Sequence, residues 1–243
     1  PQLHEVTVLR EEDGRDERTL RLETLREVLR TAVPALPAAA ARKLADASDA
    51  LQGRCEPFVR PTYAADVAHH SAMASSGARQ ARVLAAVVRF MVARRIVEIG
   101  AAYGLGALTL AEAAGPDGRV VTAERSEPQL SIARETLAAS PTVTVLEGIA
   151  AEAADDIIGP LGGAPDVLFH DGAHSREAYV QDFAAYEPLL APGAVVLFDD
   201  IDWADERFHP DARTYDGWRE VVAHPRVRAA CEIDGTWGLL LLR

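Results

Sequence analysis

Two short apolar runs in this chain end in acid. Val167-Leu168-Phe169-His170 leads into Asp171-Gly172-Ala173-His174, and Val195-Val196-Leu197-Phe198 leads into Asp199-Asp200. Runs of this kind read as buried strands, so three carboxylates and an imidazole are expected to meet on one edge of a sheet. Asp171, Asp199 and Asp200 are hard oxygen donors suited to a divalent ion such as magnesium, with positions left for two substrate oxygens and a water. His174, an imidazole with an ordinary pKa of about 6.5, can take a proton near neutral pH. Each feature alone has an ordinary structural reading: Asp200 capping a turn, Asp199 bonded to backbone, His174 bonded at a helix start. Neighbouring strand residues point to opposite faces, so Asp199 and Asp200 reach one ion only where the chain has left the regular pleat. His170 lies deeper in its strand and reads as structural.

A second candidate is Val97-Glu98-Ile99-Gly100-Ala101-Ala102-Tyr103-Gly104-Leu105-Gly106, where a strand turns into a helix. Small residues there let a ligand approach the backbone at the carboxyl end of a strand. The G-x3-G-x-G spacing is neither the G-x-G-x-x-G of dinucleotide folds nor a phosphate-binding P-loop. Glycines end many βα units, so the loop gains weight from Glu124, which closes the next strand where an acid can accept from both ribose hydroxyls. Together they favour a nucleoside-containing cofactor.

The elements that must position these residues alternate. Strands are expected at 96–99, 120–123, 142–146, 166–169 and 195–198. Helices begin at Gly104 and Ser126, a short one ends near Ile158, and another runs over 175–190. Such β-α alternation implies a parallel, doubly wound sheet covered by helices. Ser126 with Gln129 suggests a capping box, and Ser175 a helix cap. The segments 227–233 and 237–242, around Asp234-Gly235, read as an antiparallel hairpin. Residues 17–93 read as helices with irregular joints, ending in a helix over 77–93 whose broad apolar face carries Val83, Leu84, Val87, Val88, Phe90 and Met91.

Composition sets outer bounds. The 243 residues carry a net charge of -12 with no basic run, which opposes nucleic-acid binding. Cys55 and Cys231 match no disulfide framework or zinc spacing, in keeping with a reducing cytoplasm. No segment is apolar over a membrane-spanning length, and the first residues lack the regions of a signal peptide, so a soluble cytoplasmic protein is expected. The chain starts at Pro1 without a methionine, and a few preceding native residues are expected.

The glycine loop, Glu124, Asp171 and the final hairpin, in this order over roughly residues 75–243, resemble the class I S-adenosylmethionine-dependent methyltransferases. The resemblance implies an α/β fold with a seven-stranded, Rossmann-like doubly wound sheet and an antiparallel C-terminal hairpin. Residues 77–243 would form the catalytic domain, and residues 1–76 a helical lid section. It also implies a cofactor site: Glu98, Gly100, Ala101, Tyr103, Gly104 and Gly106 around the methionine end, Glu124 and Arg125 at the ribose, Gly148, Ile149 and Ala150 beside adenine, and Asp171 and the lid residue Met73 closing it. Asp171-x-x-His174 followed by Asp199-Asp200 is similar to the metal-dependent O-methyltransferases, the catechol type having Asp-x-x-Lys and the macrolide-sugar type Asp-x-x-His. In that reading Asp171, Asp199 and Asp200 hold the metal, magnesium being the first expectation, and His174 removes the proton of a small-molecule hydroxyl, sugar or aromatic, in a secondary metabolite.

Trp203 and Phe208, in a long loop after the fifth strand, either stack on a flat ring or sugar face or pack under the loop. His69 and His70 read as solvated or lid-packing residues. A C-methyltransferase using the same carboxylates on a keto acid is the nearer alternative. An NAD-dependent oxidoreductase is the more distant one, and it lacks its glycine fingerprint here. A homodimer through the front section is an assembly open to the chain.

Overall fold

The computed structural model describes residues 6–11, 42, 78–148, 151–202 and 212–243. Its elements are β1 (Val6–Glu11), α1 (Ala78–Phe90), β2 (Arg95–Ile99), α2 (Leu105–Ala114), β3 (Arg119–Glu124), α3 (Glu127–Leu137), β4 (Val143–Glu147), α4 (Ala154–Leu161), β5 (Val167–His170), α5 (Arg176–Tyr186) with a 3-10 turn at Glu187–Leu189, β6 (Val195–Phe198), α6 (Thr214–Val222), β7 (Val227–Ile233) and β8 (Trp237–Leu242).

The strands form one sheet in the order β1-β7-β8-β6-β5-β2-β3-β4. The pairs among β2 to β6 are parallel, and β8 joins β6 antiparallel. Alternation along each strand divides the core in two. Ile96, Val120, Phe169, Val195 and Leu197 pack with α1 and α2 on one face. Val97, Ile99, Val121, Leu168, Val196 and Phe198 pack with α4, α5 and α6 on the other. Strands buried on both faces read as unbroken apolar runs, which is how β5 and β6 stand out in the sequence.

The site is positioned by a reversal of strand order. The chain runs outward from β2 through β3 to β4, then returns to lay β5 on the other side of β2. The crevice opened at the carboxyl ends of β2 and β5 is where doubly wound sheets take ligands, and the glycine loop and Asp171 border it.

Three expectations are corrected. The sheet has eight strands rather than seven, because β1, from a section expected to be helical, adds to the exposed edge of β7 from Val6 opposite Ile233 to Glu11 opposite Ala229. Arg10 fastens it across the end of α6 by donating to the carbonyls of Val222 and His224 at 2.9 and 3.1 Å. Ser126 makes no side-chain cap; the backbone N–H of Ser126 donates to Glu124 Oε1 at 2.8 Å. The helix expected to reach Leu190 stops at Tyr186 and tightens into a 3-10 turn containing Pro188, whose missing N–H cannot continue the helical ladder. Ser175 does cap α5, accepting from the N–H of Ala178 at 3.1 Å. The final hairpin has its expected boundaries.

Among the described residues no helix is long and apolar enough to cross a membrane.

Candidate active site

The glycine loop is bent by necessity. Gly100 has φ 91°, Ala102 42° and Gly104 88°. A Cβ on Gly100 would fall 2.1 Å from the carbonyl oxygen of Asp171, and Asp171 N–H donates to Ile99 O at 2.9 Å. The loop after β2 and the loop after β5 thus lie backbone against backbone, which only glycine permits. Gly100→Ala should lose about 3 kcal/mol or more of stability, read as a drop in thermal midpoint; an unchanged midpoint would contradict this packing.

Glu124, at the end of β3, is 8% exposed and accepts from Ala102 N–H at 2.9 Å through Oε2, besides Ser126 N–H through Oε1. It therefore staples the glycine loop, and each oxygen keeps a lone pair for a further donor. Gly148, after β4, has φ 146°, and among the described residues nothing stands within 4 Å of where a side chain would begin. Tyr103, Ala101 and Gly106 are buried, and Arg125 is exposed beside Glu124. Met73, Ile149, Ala150, Trp203, Phe208, His69 and His70 lie outside the described residues.

Glu98 is buried in β2, where Thr122 Oγ1 donates to its Oε2 at 2.5 Å. Burial pushes its carboxyl up to about 8, the Thr122 hydrogen bond opposing and the nearby Glu124 charge adding.

Asp171, Asp199 and Asp200 come together as the two apolar runs implied. Asp200 has φ 53°; the chain has left the pleat there, the condition for consecutive carboxylates to face one place. His174 Nε2 is 3.3 Å from Asp200 Oδ2 and 3.8 Å from Asp171 Oδ1. Asp199 accepts from Asp200 N–H at 3.0 Å and from the Trp237 side chain. Although 27% of the Asp171 side chain is open to solvent, the protein packed around it holds its carboxyl well above the usual range, and the charges of Asp199, Asp200 and Glu98 add to this. Asp199 is pushed up to about 8 by burial and then by Asp200.

Two contributors gave no sequence signal. Gln80, in the first turn of α1, donates its amide to Asp199 Oδ2 and, at a long 3.4 Å, to Asp171 Oδ2; a lone polar residue in an amphipathic helix looks like any solvated position. Tyr179, fully buried in α5, donates its hydroxyl to the carbonyl of Asp199. Its ring packs edge-on to His170 and against Phe198, centroids 4.9 and 5.0 Å away. His170 is 1% exposed and pairs with Asp182 Oδ2 at 2.8 Å. Tyr179→Phe would leave the buried Asp199 carbonyl without its donor, at a cost of about 1–3 kcal/mol. It should lower the thermal midpoint and raise the KM for acceptor while leaving cofactor affinity unchanged; an unaltered KM would show that the hydroxyl does not set the turn.

Among the described residues no group of three or more His, Cys, Asp or Glu side chains stands close enough to hold a metal ion; Gln80 and His174 bridge the carboxylates as they are.

A doubly wound sheet with an antiparallel C-terminal hairpin, a glycine loop stapled by a strand-end glutamate, and an acidic cleft at the switch point define a class I methyltransferase fold. Residues 97–201 match a family model described as a methyltransferase domain. The catechol O-methyltransferase of Mycobacterium tuberculosis is 30% identical over 147 residues, 60% of this chain and 66% of that protein, so the match spans just under two thirds of the relative's length. Among solved structures, the O-methyltransferase TomG of Streptomyces achromogenes, involved in tomaymycin synthesis and solved with S-adenosylmethionine, is 26% identical, with a TM-score of 0.63 over 82% of this chain and 89% of that one. An O-methyltransferase of Bacillus cereus, solved with S-adenosylhomocysteine, shares the fold at 22% identity, with a TM-score of 0.61 over 91% and 97%. Over residues 97–201 the chain is thus similar to a methyltransferase domain, and the proteins it resembles are O-methyltransferases, two of them solved with the methyl donor or its product.

Proposed function

We propose that the protein transfers a methyl group from S-adenosylmethionine to a hydroxyl of a small molecule, with Asp171, Asp199 and Asp200 holding a divalent cation, magnesium first. The observation that carries the reading is that Asp171 and Asp200 flank His174 Nε2 while Gln80 ties Asp171 to Asp199, all at the switch-point crevice that the glycine loop also borders.

The glycine loop and Glu98 surround the methionine end of the donor, and Glu124 keeps acceptor capacity for the ribose. The open space at Gly148 suits adenine. The donor set suits a hard cation: it is all oxygen, and burial with mutual repulsion holds Asp171 and Asp199 above their usual range, a charge deficit that a cation would relieve. When bound, the cation supplies Lewis-acid polarisation of the acceptor oxygen. His174 faces the same place as Asp171 and Asp200, so its imidazole takes the hydroxyl proton. The oxygen forms its bond to the methyl carbon as the carbon–sulfur bond breaks, the electron pair staying on sulfur to give S-adenosylhomocysteine. Most of the acceleration comes from holding oxygen, methyl and base in line.

Labelled S-adenosylmethionine with catechol and glycoside acceptors, with magnesium or with excess chelator, tests this. The expected result is label on oxygen, lost in chelator. Full activity in chelator excludes the cation, and label on carbon replaces O- with C-methylation. Tight NAD binding without S-adenosylmethionine binding overturns the whole reading.

A further inference from the structure

We propose that Gln80 competes with the cation for the acidic cluster: its amide nitrogen bridges Asp171 and Asp199 when no ion is bound and must withdraw for one to enter. The inference rests on the cation reading above and concerns a residue outside the candidate ligand set.

The geometry is specific. Gln80 sits in the first turn of α1 and reaches two loops distant in sequence, its nitrogen meeting one oxygen of Asp199 and one of Asp171. A carboxamide nitrogen carries two N–H donors, one for each carboxylate, whereas its oxygen in that place would face acceptors on both sides. Neighbouring carboxylates drawn out of water need such donors to remain folded together. An ion binding Asp171 and Asp199 uses the oxygens that the amide now holds. Whatever the amide contributes in the ion-free protein is therefore subtracted from the ion's affinity. The chain of Gln80 is long and its amide half-buried, so it can rotate away without disturbing the apolar face that Val83, Leu84 and Val87 present to the sheet.

The alternative is that the amide turns over on ion entry and offers its carbonyl oxygen as a ligand. The two differ in sign. Gln80→Met keeps length and removes both donors and carbonyl, and Gln80→Glu keeps length and exchanges donors for a fourth carboxylate.

The test is calorimetric titration of the whole chain with magnesium and manganese, alongside thermal midpoints in chelator and in saturating cation. Competition predicts that Gln80→Met melts lower than the parent in chelator, gains more from cation, and binds it about three- to tenfold more tightly, the net worth of about one hydrogen bond. Gln80→Glu should bind more tightly under either arrangement, so Gln80→Leu, which also removes both donors and carbonyl, carries the test should Gln80→Met not fold. Equal affinities in parent and variants overturn the competition alone. Weaker binding by Gln80→Met overturns it in favour of the carbonyl ligand. Binding by none of the three proteins overturns the cation reading and the competition with it.

Discussion

Asp199→Ala should lower turnover at saturating S-adenosylmethionine and magnesium by about three orders of magnitude, roughly 4 kcal/mol of transition-state stabilisation, while changing the affinity for S-adenosylmethionine by less than about threefold. The asymmetry follows from where the residue sits. Asp199 ends β6, next to β5, while the proposed cofactor-binding loop follows β2 on the far side of β5. Removing its carboxylate takes one of three candidate cation ligands and leaves the glycine loop, Glu98 and Glu124 untouched. It also leaves Gln80 with only its long contact to Asp171 and removes the acceptor of the Asp200 N–H, so Asp199→Asn, which keeps the shape and removes the charge, is the companion variant. Initial rates against magnesium concentration and calorimetric titration of S-adenosylmethionine separate the effects. Parallel losses of rate and cofactor binding would mean that Asp199 maintains the fold of the cleft rather than its chemistry.

The cofactor-free protein should lose stability as pH rises from about 4 to beyond 8, and Glu98→Gln should remove a large part of that slope. The sign is set by proton counts. Glu98 titrates near 4.5 when exposed and is pushed up to about 8 in the fold. Between those values the folded protein binds a proton that the unfolded chain releases. The stabilisation is full below the unfolded pKa and is lost as pH climbs through the folded one, at up to about 1.4 kcal/mol per pH unit for one carboxyl. Thermal midpoints of parent and variant from pH 5 to 9 in chelator read this directly, and the two should diverge most at the alkaline end. Parallel curves would place the slope elsewhere in the acidic cluster. Because the methyl donor carries a sulfonium and an ammonium, its binding beside Glu98 should expel the proton. The parent should then bind it more tightly as pH rises through 8, and Glu98→Gln should not.

Much of the fold was legible because burial leaves a pattern in the sequence. β5 is apolar up to His170 and β6 throughout, both are buried residue by residue, and the Asp234-Gly235 turn between two largely apolar runs marked the last hairpin with its boundaries. The capping box at Ser126 failed because Glu124, a residue chosen for a different role, took the N–H of Ser126. β1 escaped notice because Val6–Glu11 is short and half polar, and its strand character comes from the open edge of β7 rather than from its own composition.

Sequence by itself determined the chemical inventory: three aspartates and a histidine at the ends of two buried runs, and glycines where a strand must turn against a neighbour. Residue type and apolar spacing are local properties and survive without coordinates. Tertiary structure alone decided how the inventory is wired. Gly100 is required by a carbonyl that belongs to Asp171, Asp200 adopts a positive φ over a carbonyl held by Tyr179, and Gln80 crosses from a preceding helix to hold two carboxylates together. Each of these joins residues far apart along the chain, and the partner of a hydrogen bond is fixed by packing rather than by the residue that donates it.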